Sequence, residues 1–340
     1  MRINIQIIIS VIVMSFVFTS CGTNNDVQTS SKNVYIPCGE SYGSTYSNSL
    51  IYASLWNGTN KTTLTDPKSL INSNSWATSV FVSDNDVYVV GQISGTVNYA
   101  ILWKNGVQTI LPFSIANSVY VSGNDVYIAG QNNSSGSQQT AVLWKNGTLT
   151  QLQGGVNANY VYVNGTDVYV AGSGSTADNY TMAILWKNGV ENQMSKNSIS
   201  TAATSVFISG NDIYVGGLNN YVNNGGTLAN LWKNNVAVQL PAGAEQVYVI
   251  GNDVYTAAII NNCLIMWKNG IKTTLYQAEK YTSVGLNAIN VSGSDVYVLG
   301  SIGSTLQTEK DNMHYVLWKN GLKTDLSIHG NSMINSIFVK

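Results

Sequence analysis

The chain has 340 residues, 44% of them hydrophobic and 10% charged, with a formal net charge of −1 at pH 7. With no run of like charge, it offers no basic surface for nucleic acid and no electrostatic handle for an anionic membrane. Two histidines and three cysteines fall at no metal-ligand spacing. No G-x-S-x-G, phosphate-binding or dinucleotide fingerprint sits in the context it requires, and no cofactor is implied.

Residues 1–21, MRINIQIIISVIVMSFVFTSC, come first. One Arg precedes an apolar run of Ile, Val, Met and Phe, shorter than a bilayer-spanning helix, which ends in small residues before Cys21. This is the layout of a cleaved export signal. The Phe18-Thr19-Ser20-Cys21 end resembles a bacterial lipobox. That resemblance implies that Cys21 becomes the lipidated first residue of an exported lipoprotein of the bacterial cell envelope. The plainer alternative is an ordinary signal peptide with an incidental Cys. Acyl chains anchor at about 0.8 kcal/mol per buried CH₂. Residues 22–32, GTNNDVQTSSK, are polar and aperiodic and read as a flexible tether.

From residue 33 to 340 one unit recurs, clearest in Ser118 to Leu152. SVYVS, GN and DVYIAG read as strand, tight turn, strand; AVLWK, Asn146-Gly147 and TLTQL repeat the pattern. The unit therefore predicts four short antiparallel strands, a to d. Both faces of strands a and b carry Val, Ile or Tyr, so each sheet must stack face to face on copies of itself. The predicted fold is all-β, a seven-bladed β-propeller of four-stranded blades. Strand c ends in Trp seven times, at 56, 103, 144, 186, 232, 267 and 318, and strand b carries its Tyr seven times, at 35, 88, 127, 169, 214, 255 and 297. The chain enters on strand b at Asn33 and leaves on strand a at Ile334 to Lys340, so the last strand is expected to complete the first blade and close the ring.

Six blades start strand b with Asp (86, 125, 167, 212, 253, 295) and end strand c with Lys (104, 145, 187, 233, 268, 319). In the closing blade both charges vanish together, leaving Asn33 and Asn57. The spacing predicts that each Asp faces its Lys across the b–c pair; a cation-binding ring of Asp is the alternative. Cys38 and Cys263 lie in blades too far apart for a disulfide and are expected to be small buried residues.

The step SGNDIYVGG (209–217) resembles the kelch strand-b signature, an aromatic followed by two glycines. The strand-c Trp also resembles kelch and related bacterial propeller repeats with an LW-x-NG core. The double Gly is complete only at Gly216-Gly217. These motifs are structural in that family, so the resemblance implies an architecture and no activity.

Function is sought where the unit fails to repeat. The a–b and c–d turns are short and alike and share one face; the b–c and d–a connections vary and share the other. That loop face is the expected binding surface, with Trp76, Tyr180, Tyr221, Tyr281 and His314 as candidate contacts. The plainer reading is that each packs on the blade below. A second candidate is a polar ring where strand a begins: Thr78, Asn117, Asn159, Thr204, Glu245, Asn287 and Asn335. It could hold a sugar or a peptide terminus at the channel mouth, or simply satisfy backbone groups. The expectation is a monomeric, non-catalytic, lipid-anchored propeller binding a protein or glycan. The rivals are a polysaccharide lyase or hydrolase with its site at the channel mouth, which needs converging carboxylates, and a structural spacer without ligand. Glu245, Glu279 and Glu309 are the acids available to the first of these rivals.

Overall fold

The computed structural model describes residues 34–42, 50–58, 60–70, 73–133, 139–194, 200–220, 227–241, 244–304, 313–329, 334 and 336–340. The export signal with Cys21 and the tether lie outside the described residues, as do Tyr221, Glu309 and Asn335. The described residues form seven antiparallel sheets of four strands each: a seven-bladed β-propeller. No helix among them is long and apolar enough to cross a membrane.

Six blades run a-b-c-d in chain order. Their strands a are Asn74–Ser83, Ile115–Ser122, Gly155–Asn164, Thr201–Ser209, Gln246–Ile250 and Thr282–Ser292. Each is followed by its strand b, beginning at Asp86, Asp125, Asp167, Asp212, Asp253 and Asp295. The closing blade takes strands b, c and d from Val34–Tyr42, Leu50–Asn57 and Asn60–Thr63, and strand a from Phe338–Val339. Val339 pairs with Val34 and Phe338 with Tyr35, so the two ends of the chain meet in one sheet.

The turns form where the sequence supplies residues that accept positive φ. Asn105 and Gly106 both lie there (51° and 81°), as a two-residue turn matching the right-handed strand twist demands. The strand-c tryptophans are wedges between blades. Trp103 and Trp186 are fully buried and Trp318 is 1% exposed. Trp186 packs with Tyr127, Ala129 and Ala141 of the preceding blade.

The Asp–Lys pairs form in all six blades, at 2.7–2.9 Å. They are diagonal rather than directly opposed. Lys104 faces Tyr88 in the register, with its ammonium 5.0 Å from the ring centroid, and reaches Asp86 one pleat away. The turn residue Asn105 completes the latch. Its amide donates to Asp86 (2.8 Å) and its carbonyl accepts the Val87 N–H (2.8 Å). Lys145 and then Asn146 hold the Asp125 carboxyl below its usual range. Because that pKa is lowered by folding, the stabilisation is present above the unfolded value and is lost as pH falls through the folded one. The pair is exposed and salt-screened. We therefore expect Asp125→Asn to shift the denaturation midpoint only slightly at neutral pH, and the gap from wild type to close on acidification or in molar salt.

Several strands run further than their repeated motifs, which shortens the connections between them. Strand a already starts at Asn74, Thr201 and Thr282, so Ser75, Trp76 and Ala77 belong to a strand, not to a loop. Likewise Ser301–Ser304 belong to strand b (Asp295–Ser304), and only Asn261 and Asn262 separate strands b and c in the sixth blade. Asn, Gly and Ala have weak strand preference, and in strand a the alternation is broken by a bulge.

Candidate functional site

The ring residues owe their position to β-bulges. In five blades the a–b register slips by one residue, and the residue left without a partner is Thr78, Asn117, Asn159, Thr204 or Asn287. A bulge bends the strand and re-aims that side chain. Four of the five point their hydrogens at the next blade. Thr78 Oγ1 donates to the Ala116 carbonyl (2.7 Å), Asn117 Nδ2 to Ala158 (2.9 Å) and to Asn157 Oδ1 (2.8 Å), Asn159 Nδ2 to Ala203 (2.8 Å), and Asn287 Nδ2 to Ile334 (2.9 Å). The ring staples neighbouring innermost strands together. Thr204 instead donates within its own blade, to the Gly216 carbonyl at 3.4 Å.

Glu245 departs from this pattern. Its strand, Gln246–Ile250, is the shortest of the six and shows no bulge. An ionised carboxylate has no hydrogen to give, so it cannot act as its neighbours do. It accepts the Ile259 N–H at 3.1 Å, and burial raises its pKa above the usual carboxyl range. A raised folded pKa contributes stability that is full below the unfolded value and is lost as pH rises through the folded one. A glutamine here carries no charge to desolvate. We expect Glu245→Gln to be slightly more stable than wild type at neutral pH. Denaturant midpoints should show the gain shrinking as pH falls.

These residues surround a cavity of about 540 Å³ lined by the innermost strands of all seven blades. Thr78, Asn117, Asn159, Thr204, Glu245 and Asn287 all line it, with Ser336 beside the undescribed Asn335. Three residues further along each strand a stand Phe81, Tyr120, Tyr162, Phe207, Tyr248, Asn290 and Phe338. Four neighbouring pairs of these rings touch at 4.7–5.1 Å between centroids, tilted by 50–58°, about one seventh of a turn per blade. Tyr160 adds a further phenol to the cavity lining. Burial, then the neighbouring Tyr248, Tyr120 and Tyr162, pushes its pKa up; burial and Tyr162 push Tyr120 to about 12. These phenols stay protonated at neutral pH.

The loop candidates do not join this site; none of the described ones lines the cavity. Trp76 sits in strand a, with its indole over Gly39 of the closing blade, so it packs between blades. Tyr180 is 37% exposed at the end of a small turn, where its N–H donates to Thr176 Oγ1 (3.0 Å). Tyr281 is 53% exposed at φ 66°, with Lys280 4.8 Å from its ring centroid. His314 begins strand c of the seventh blade, 3.2 Å from Asp325.

Sequence reasoning missed a second polar cluster, in the closing blade. Glu40 is 8% exposed and accepts from Ser54 Oγ (2.5 Å), Lys61 Nζ (2.6 Å) and Tyr52 OH (3.1 Å). Cys38 Sγ lies 3.2 Å from Ser54 Oγ. Burial pushes the Cys38 thiol up to about 12, which leaves it protonated and unreactive at neutral pH. Every Glu40 contact falls within its own blade, and the cluster reads as a satisfied buried network. The available signal was a lone Glu at a strand-b position that holds Ile93 or Asn132 in other blades. Cys263 is also a free thiol but is only half-buried, unlike the buried residue expected from the sequence, because it donates to Gln277 at an exposed strand end. No group of three or more His, Cys, Asp or Glu side chains arranged to hold a metal occurs among the described residues.

No protein-family model matches the chain, and no curated protein does. Solved structures share the fold. The β-propeller domain of the trilobed protease from Pyrococcus furiosus matches 88% of this chain and 99% of its own, at 12% identity and TM-score 0.52. A Mycobacterium tuberculosis puromycin-hydrolyzing peptidase matches 74% of this chain (12% identity, TM-score 0.52) and the Pyrococcus horikoshii acylaminoacyl peptidase 88% (11%, TM-score 0.52). Of those two peptidases the match spans 46% and 53% of their lengths. At such identity the likeness is one of fold.

Proposed function

We propose that this protein is a non-catalytic, lipid-anchored, kelch-like propeller that binds a protein or glycan at the bacterial cell envelope, with its site at the channel mouth. The observation that carries this reading is the cavity itself. It is concave, ringed by hydroxyls and amides, and backed by aromatic rings, the composition of a pocket that orients a ligand. The b–c and d–a segments differ in sequence from blade to blade, as a recognition surface on a repeated scaffold requires.

The test is a glycan array and a pull-down with wild type, Glu245→Ala and Trp76→Ala. Binding lost in Glu245→Ala but kept in Trp76→Ala supports the channel. Equal binding by all three proteins would sink it. The anchor is tested separately: a Cys21→Ser protein that stays in the membrane fraction argues against lipidation.

One observation favours the enzyme reading: the raised carboxyl of Glu245, a property useful in a general acid. Glycoside hydrolysis uses two carboxyls about 5–10 Å apart. Among the described lining residues Glu245 is the one carboxylate, and Glu279 is an exposed loop residue. Shortened glycans released by wild type but not by Glu245→Ala would establish catalysis.

A further inference from the structure

We propose that the group recognised in the channel is an ammonium, presented by a lysine side chain or a peptide N-terminus; this rests on the channel being the binding site. Three observations lead there. First, the staples use up donors. Asn117 spends both amide hydrogens on the neighbouring blade, Asn159 and Asn287 spend one each, and Thr78 gives its hydroxyl hydrogen to Ala116. What these residues still offer is mainly acceptor oxygens. A sugar hydroxyl has one hydrogen to give and two lone pairs that go unused among acceptors; an ammonium only gives, and it gives three hydrogens.

Second, the cavity's charge is uncompensated. Glu245 is the one charged group among its described lining residues, and no Lys or Arg is among them. Six of the chain's lysines are instead committed to the Asp latches beside the a–b and c–d turns. A carboxylate with one backbone N–H at 3.1 Å keeps acceptor sites free for a cation.

Third, Tyr160, Phe207 and Tyr248 line the same cavity. Aromatic faces attract cations and recur in the sites that hold ammonium ligands. A volume near 540 Å³ falls within the range of small-ligand pockets, about 300–1,000 Å³. It has room for a lysine side chain with its flanking amides.

The experiment is isothermal titration at neutral pH with four probes: Nα-acetyl-lysine methylamide, its Nε-acetylated counterpart, glycylglycine methylamide and maltotriose. The expected result is saturable binding of the free-amine probes and at least tenfold weaker binding of the Nε-acetylated one. Glu245→Gln, with its folding checked by circular dichroism, should weaken the amines at least tenfold. The two amine probes distinguish a side chain from an N-terminus. Equal binding of acetylated and free lysine, or full amine affinity in Glu245→Gln, overturns the proposal. Maltotriose binding lost in Glu245→Ala, with no amine binding, overturns it while leaving the channel reading intact. Silence from every probe, with wild type also blank on the array and in the pull-down, removes both.

Discussion

Gly91→Ala is expected to destabilise the propeller by about 3 kcal/mol or more, the upper end of overpacking costs. A Cβ at this position would lie 1.8 Å from the Trp76 carbonyl oxygen, 2.9 Å from its carbon and 3.0 Å from the Ala77 Cα. All three are backbone atoms, so no side chain can swing aside. The cause is the bulge at Thr78, which brings the strand-a carbonyl two residues earlier down onto strand b. The same geometry recurs. Added Cβ atoms would meet the Ile115 oxygen at Gly130 (2.1 Å), the Asn157 oxygen at Gly172 (2.1 Å), the Ala202 oxygen at Gly217 (2.5 Å) and the Gly285 oxygen at Gly300 (2.3 Å). In the sixth blade, where no bulge occurs, the chain carries Ala258 at this position. Urea denaturation should show Gly91→Ala with a much lower midpoint. A fall no greater than that of an exposed turn substitution would contradict the bulge as the reason for glycine.

Trp186→Ala should cost about 3–5 kcal/mol, the range for deleting a large buried aromatic. The side chain is fully buried between two blades, and its Nε1 donates to the Gln153 carbonyl at 2.8 Å. Removing it opens a void and orphans that acceptor. The positions that abut the indole include Gly155 and Gly172, which have no side chain to move into the gap. Trp76→Ala provides the comparison. That indole is half-buried and its Nε1 has no partner, so no hydrogen bond is lost and the cost should be smaller. Equal midpoints for the two variants would contradict the account of the strand-c tryptophans as inter-blade wedges.

The blades were legible because their signals are local and repeated. Asn-Gly turns, two-residue alternation and the Leu-Trp pair each have one structural meaning, and seven copies average out the exceptions. The Asp–Lys latch was legible because both charges disappear together in the closing blade. Its diagonal geometry was not, since strand alternation gives the face but not the pleat. The bulges were hidden for a related reason. One extra residue reverses the alternation, so Ser75-Trp76-Ala77 read as loop and Trp76 as a contact residue. The ring at the start of strand a was visible as a column of Thr and Asn, with Glu245 as its exception. What that column does to the cavity, spending donors and leaving acceptors, depends on the neighbouring blade and has no trace in one repeat. Tyr160 escaped notice because its column holds Ser79, Ser118, Ser205, Gln246, Ala288 and Ser336; a lone aromatic among small or polar residues was the available clue.

The most direct test of the central claim, that ligand is held in the channel, is photo-crosslinking mapped by mass spectrometry. The probe is Nα-acetyl-lysine methylamide carrying a diazirine on its acetyl group. Labelling is expected to concentrate on cavity-lining residues such as Tyr160, Phe207, Glu245 and Tyr248, and excess unlabelled probe should suppress it. Suppressible labelling confined to the outer loops around Tyr180 and Tyr281, with the channel residues unmodified, would contradict it.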